Sequence, residues 1–160
     1  MRVLKPYEQV QLAATPSANA SIPREGNFLT VTALPAAHTK GEDCFIYLLQ
    51  DGKTTFLQFN DSGILPDEVY AYLKKTDVKL DAIAFDCTYG YFEKGPGRHM
   101  GYLDCLSEKT RMEKFNLLNK GCKFILTHFS HNGGLLHDEM QDKVKDSGFI
   151  VAYDGMEIAV

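Results

Sequence analysis

The chain has 160 residues, a formal net charge of −4, and apolar and charged fractions of 44% and 24%, enough for one domain with a real core. Charges of one sign do not run in blocks, which argues against a nucleic-acid-binding stripe and leaves open an RNA end as substrate. The four cysteines, Cys44, Cys87, Cys105 and Cys122, form no Cys-x-x-Cys pair, which disfavours a zinc ribbon or dithiol motif and fits reduced thiols in a cytoplasmic protein.

The N-terminal MRVLKPYEQVQL holds no continuous apolar segment of a secretory signal, and no run in the chain approaches a membrane span. Residues 13–26, ATPSANASIPREGN, are small, polar and proline-containing and read as a loop, with residues 1–27 mostly loop. FLTVTAL (28–34) alternates and reads as a strand. CFIYLLQ and TTFLQF flank Asp51-Gly52-Lys53, a hairpin signal. PDEVYAYLKK (66–75) reads as a helix, with Pro66 at its start and Asp67 and Glu68 at the positive end of its dipole. LDAIAFD (80–86) reads as a short buried strand. A helix is predicted over 107–121, capped by Ser107, with Met112, Phe115 and Leu118 on one face and Gly121 as its stop. CKFILTHF follows as a strand. LLHDEMQDKVKDSG reads as another helix, with Leu136, Met140 and Val144 on its packed face and Gly148 as its stop. FIVAYDGMEIAV closes the chain as two short strands around Asp154-Gly155. The order is a β-hairpin, then strand–helix–strand–helix–strand. It predicts a single α/β (α+β) domain over 1–160: a mixed sheet with helices on one face.

Four polar residues follow apolar runs at predicted strand ends: His38, Asp61, Asp86 and His128. Strand ends bordering loops are where α/β proteins build their sites. Imidazole and carboxylate suit Zn, Mn or Fe, and one carboxylate can bridge two cations. Each residue also has a structural reading: Asp61 in NDSG fits an ordinary turn, and Asp86 could merely end its strand.

The order ALPAAH (33–38), FNDSG (59–63), FDCTYG (85–90), GRHMG (97–101) and ILTHFSHN (125–132) resembles the C-terminal half of a metallo-β-lactamase-fold hydrolase. The branch it most resembles contains the phosphodiesterases of phosphonate metabolism and the tRNA 3′-processing endonucleases. The resemblance covers residues 28–160 and implies half of an αββα sandwich. It implies metal-ligand roles for His38, Asp61 and His128, with Asp61 bridging two metals. It implies that His99 protonates the leaving oxygen or steadies the phosphate and that Asp86 orients it, and a carboxylate on one ring nitrogen would fix that tautomer. His131 and Asn132 could touch a substrate phosphate. His137, at the start of a helix, reads as solvated.

The His-x-His-x-Asp-His loop of this family, which supplies the other ligands, is absent from the sequence. The expectation is therefore a C-terminal half-domain. The complete enzyme would be a phosphodiesterase in which two divalent ions, Zn or Mn and also Fe or Ni, hold an attacking hydroxide. This chain alone would bind metal weakly and turn over negligibly, because two ligands per metal fall short of the usual three or four. The alternative is a non-catalytic module. Its exposed inner sheet face would bind a partner, a second copy or the missing N-terminal half.

Overall fold

The computed structural model describes residues 3–13, 28–91 and 97–160. Its elements in chain order are β1 (Gln9–Ala13), β2 (Phe28–Pro35), β3 (Phe45–Gln50), β4 (Thr55–Phe59), α1 (Asp67–Lys75), β5 (Leu80–Asp86), α2 (Tyr102–Lys114), β6 (Leu118–Thr127), α3 (His137–Val144) and β7 (Phe149–Val151). One seven-stranded sheet holds the strands in sequence order. Strands β1 to β4 pair antiparallel, and β4 to β7 pair parallel through the three helices. The predicted mixed sheet with helices on one face is the observed architecture.

The register shows which face the helices close. Leu48 pairs with Leu57, Leu57 with Ile83, Ile83 with Phe124, and Phe124 with Phe149. Side chains alternate along a strand, so this row shares a face. It belongs to the core that packs against Val69 and Leu73 of α1, Met112 of α2 and Met140 and Val144 of α3. The opposite row, Tyr47, Gln58, Ala84 and Ile125, lies on the inner face, where Tyr47 is 37% exposed. Met156, Ile158 and Val160 line a groove of about 470 Å³ there with Phe56, Ala84 and Ile125.

Several element bounds differ from the sequence reading. Strand β1 falls within a stretch read as loop: Val10 and Leu12 pair with Val31 and Leu29. The rest of the predicted 13–26 loop lies outside the described residues. Helix α2 begins five residues before Ser107 and ends at Lys114, because Asn116 takes a left-handed φ of 54°. The Asn116 and Leu117 amides then donate to the Glu113 and Met112 carbonyls at 2.9 and 3.1 Å, a Schellman closure. Gly121, φ 84°, instead sits in an irregular stretch of β6, between the pairings of Leu118 and Lys123. Leu118 is thus in a strand, and Phe115 is 37% exposed. Leu136 precedes α3 and is 76% exposed, so Met140 and Val144 carry that helix's packing. β7 is the one strand described after α3; the chain then turns at Asp154-Gly155 toward the inner face.

A buried carboxylate stitches α2 to the start of α1. Glu108 Oε2 accepts the Leu65 amide at 3.1 Å and the Tyr70 hydroxyl at 3.0 Å. Arg111 lies 3.8 Å from its other oxygen and stacks over the Tyr70 ring at 3.9 Å. Burial raises the Glu108 carboxyl above its ordinary value, and the Leu65, Tyr70 and Arg111 interactions offset this in part. The folded state therefore holds this proton more tightly than the unfolded chain. The stability that protonation contributes is full below the ordinary value of 4.5 and is lost as pH rises through the raised one. Glu108→Gln keeps an acceptor for Leu65 and Tyr70 but does not titrate. Urea unfolding across that pH window is expected to show a flatter pH slope for this variant than for the wild type. An identical slope would mean that Glu108 carries no raised value.

Candidate metal centre

Strands β2 and β4 both run antiparallel to β3, and β5 and β6 run parallel to β4. The C-terminal ends of all four therefore share one sheet edge. His38, Asp61, Asp86 and His128 lie at these ends, which is how residues spread over ninety positions come together. Asp61 and His128 take left-handed φ values of 51° and 59°. Such backbone costs roughly 1 kcal/mol or more in a non-glycine residue and persists where neighbours impose it.

Neighbours do so here. The Ser62 hydroxyl accepts the Ala37 amide and donates to the Gly63 carbonyl, both at 3.0 Å. The Gly63 amide donates to the Ala37 carbonyl at 2.8 Å. The Asp61 turn is thereby tied to the segment leading into His38. His38 Nδ1 donates to the Arg98 carbonyl at 3.1 Å, which tethers the same segment to the residue before His99. Gly63 packs under Gly97 so closely that a Cβ would stand 2.2 Å from the Gly97 oxygen.

Asp86 is fully buried. Its Oδ1 accepts the Thr88 amide at 3.0 Å, the Thr88 hydroxyl at 2.8 Å and the Met100 amide at 3.4 Å. Its Oδ2 accepts His99 Nδ1 at 2.8 Å. Behind it, the Cys105 thiol donates to the Asp86 carbonyl at 3.1 Å. Burial pushes that thiol well up, so it stays protonated and able to donate.

His128 joins the two ends of the site. Its Nε2 lies 3.3 Å from Asp61 Oδ2 and its Nδ1 3.5 Å from Asp86 Oδ2. Its ring stacks on that of His99 at 5.6 Å. Asp61, Asp86, His99 and His128 each offer a donor atom, all within 4.8 Å of one another. The sequence reading grouped His38, Asp61 and His128 as ligands, with Asp86 and His99 apart. The structure brings Asp61 and His128 of the first set together with Asp86 and His99. His38 stands beside this group, its ring 4.9 Å from that of His99. His131 is exposed and outside the group, and the Asn132 side chain lies outside the described residues. His137 opens α3 and contacts Asp138 and the Val151 carbonyl.

The donor set fits a divalent cation. Asp61 and His128 face the open edge with side chains 61% and 34% exposed, and imidazole with carboxylate suits Zn, Mn, Fe or Ni. Asp86 is enclosed and already satisfied, so it stands behind the candidate ligands. Thr88, Ser62 and Gly63 all lie inside the quoted motifs, yet the sequence reading assigned them no part. Asp86-x-Thr88 carried a usable signal, since an aspartate commonly accepts the amide two residues on.

No family model and no curated protein matches the sequence. Among solved structures, the chain is similar to the metallo-β-lactamase fold protein YhfI from Bacillus subtilis, with TM-score 0.59 and 19% identity over 96% of this chain and 53% of that one. A "possible metal-dependent hydrolase" from Veillonella parvula gives TM-score 0.57 and 16% identity, covering 89% and 57%. The isothiocyanate hydrolase from Delia radicum gut bacteria gives TM-score 0.58 and 12% identity, covering 82% and 54%. The fold is that of the metallo-β-lactamases, and the chain spans about half the length of the solved structures it matches. No described helix is long and apolar enough to cross a membrane.

Gly63→Ala tests how tightly this edge is built. The added methyl must displace the Gly97 backbone, two residues from His99. The variant is expected to lose about 1–3 kcal/mol in urea unfolding, as overpacked sites do, and to shift the His99 ring resonances. Wild-type stability with unmoved resonances would show that the close approach constrains nothing.

Proposed function

We propose that this chain forms one part of a metal-dependent phosphodiesterase centre. His38, Asp61 and His128 would hold divalent metal, and His99 would act as the proton donor. The observation that carries this reading is the buried Asp86 carboxylate 2.8 Å from His99 Nδ1, set beside the facing Asp61 and His128. Asp86 holds the His99 ring by Nδ1, so Nε2 is the nitrogen that exchanges a proton. The His99 side chain is 20% exposed, enough to meet a substrate oxygen while its orientation is fixed from below. Cleavage of a phosphodiester P–O bond releases an alkoxide, which needs such a donor. When bound, divalent metal supplies Lewis-acid polarisation of a phosphoryl oxygen and makes an attacking water more acidic. The acceptor-rich open edge, Asp61 with His128 Nε2, is suited to that charge.

Three candidate ligands are too few for a tightly held metal pair. Calorimetry with Zn²⁺ or Mn²⁺ is therefore expected to show weak binding by the isolated chain, abolished by Asp61→Ala or His128→Ala. Hydrolysis of a phosphodiester with an alkoxide leaving group, such as thymidylyl-(3′→5′)-thymidine, is expected only when a polypeptide bearing a His-x-His-x-Asp-His loop is supplied in trans. His99→Ala should then lower turnover by about 10²–10⁴-fold. Unimpaired turnover by His99→Ala would remove the proton-donor role, and binding unaffected by either ligand variant would remove the metal site.

The open inner face favours a second reading, a non-catalytic half-domain that self-associates. Leu12, 52% exposed, and Tyr47 lie on that face with Phe56 beside them. The occupant we favour is a second copy, apposed sheet to sheet at the ~10 Å spacing of stacked sheets. Each Å² of apolar surface removed from water contributes roughly 25 cal/mol. Light scattering at micromolar concentration is expected to give a dimer that Tyr47→Lys dissociates. A strictly monomeric, cooperatively folded chain would rule this reading out.

A further inference from the structure

We propose that Thr88 is a positioning residue whose hydroxyl holds His128 in the Nδ1–H tautomer, so that Nε2 presents its lone pair to the open edge beside Asp61. The purpose of this device rests on the metal-site reading; its geometry does not.

The argument is a count of hydrogens. Thr88 Oγ1 lies 2.8 Å from Asp86 Oδ1, 2.8 Å from His128 Nδ1, 3.1 Å from the His128 carbonyl and 3.2 Å from His99 Nδ1. The hydroxyl has one hydrogen to give. Asp86 is a buried carboxylate, an acceptor only, and the strongest acceptor in reach. The hydrogen therefore goes to Asp86 Oδ1 rather than to the His128 carbonyl, and the oxygen's lone pairs remain for the two imidazole nitrogens. His128 Nδ1, equally close, must then be a donor.

The reverse tautomer needs the one Thr88 hydrogen on His128 Nδ1 and withdraws it from the buried Asp86 Oδ1. It sends the Nε2 hydrogen to Asp61 over 3.3 Å, a longer and more exposed contact than the 2.8 Å one to Thr88. With Nδ1–H toward Thr88, Nε2 and Asp61 Oδ2 are instead two acceptors side by side, an arrangement completed by a cation.

One carboxylate thus fixes both rings. Asp86 Oδ2 holds His99 directly, and Asp86 Oδ1 holds His128 through Thr88. Both Nδ1 atoms are committed inward, and both Nε2 atoms are left for chemistry. A partner that sets a histidine's tautomer typically changes metal affinity by about 10–100-fold when removed.

The test reads the tautomer itself, without metal. Two-bond ¹H–¹⁵N spectra of the metal-free chain, above the imidazole titration range, distinguish Nδ1–H from Nε2–H. The wild type is expected to show His128 as Nδ1–H. Thr88→Val should move it toward Nε2–H while His99, held by Asp86, stays Nδ1–H. Thr88→Ser should keep the wild-type pattern. Co²⁺ titration should show affinity about 10–100-fold weaker in Thr88→Val, restored in Thr88→Ser. An Nε2–H signal for His128 in the wild type overturns the proposal even if no variant folds. So does a folded Thr88→Val that retains Nδ1–H. If the tautomers behave as expected and Co²⁺ does not bind, the metal-site reading fails and the assignment to Thr88 stands.

Discussion

A buried charge organises the sheet edge that carries the candidate metal centre. Asp86 ends the interior strand β5 with no exposed surface, and an unpaired carboxylate there would cost several kcal/mol. Every partner that satisfies it is part of the site. The Thr88 amide and hydroxyl bend the chain out of β5. The Met100 amide anchors the far end of the segment that carries His99, and His99 itself completes the set. Asp86→Asn would leave the shape nearly intact, but an amide cannot be an acceptor on both sides at once. One of its two flanks, Thr88 or His99, would then meet a donor.

The sheet supplies what Asp86 cannot. Directions along β2, β4, β5 and β6 agree, so four strand ends arrive at one edge. The glycine contact between residues 63 and 97 and the Ser62 bonds to Ala37 and Gly63 then lock neighbouring loops at backbone level. That matters for Asp61 and His128, whose left-handed backbones would relax if the loops were free. The strain is held by strands packed on helices, and the side chains it aims are the exposed ones.

Much of this was legible in the sequence, for a physical reason. Short runs of strand-favouring residues bounded by turn signals can be read locally, as FLTVTAL, LDAIAFD and the Asp51-Gly52 hairpin were. So could the pairing of Asp86 with His99, because it followed from a motif order. Helix ends were less legible. Asn116 stops α2 through its left-handed backbone, a role Asn fills less often than Gly, so Gly121 drew the boundary instead. Leu136 fitted the helical spacing yet lies before the first turn, where spacing carries no packing information. Thr88 was invisible in its role because a threonine after a strand is ordinary. Its importance comes from three partners, at residues 86, 99 and 128, that only the fold brings to one oxygen.

The two faces of the sheet explain why such a site can be well formed on a chain spanning half the length of its structural neighbours. The helix-backed face is closed by its own core, with Leu57, Phe59, Ile83, Phe85 and Leu126 essentially inaccessible. That packing fixes the strands, and the strands fix the edge. The inner face contributes little to holding Asp86, Thr88, His99 or His128, whose mutual bonds run along the edge rather than across the sheet. On the proposed reading, the deficit of the isolated chain is therefore in the number of ligands rather than in their placement. Imidazoles already held by Asp86, Thr88 and the Arg98 carbonyl need no reorganisation to meet a cation, so completing the site would require further donors from outside and no refolding of this part.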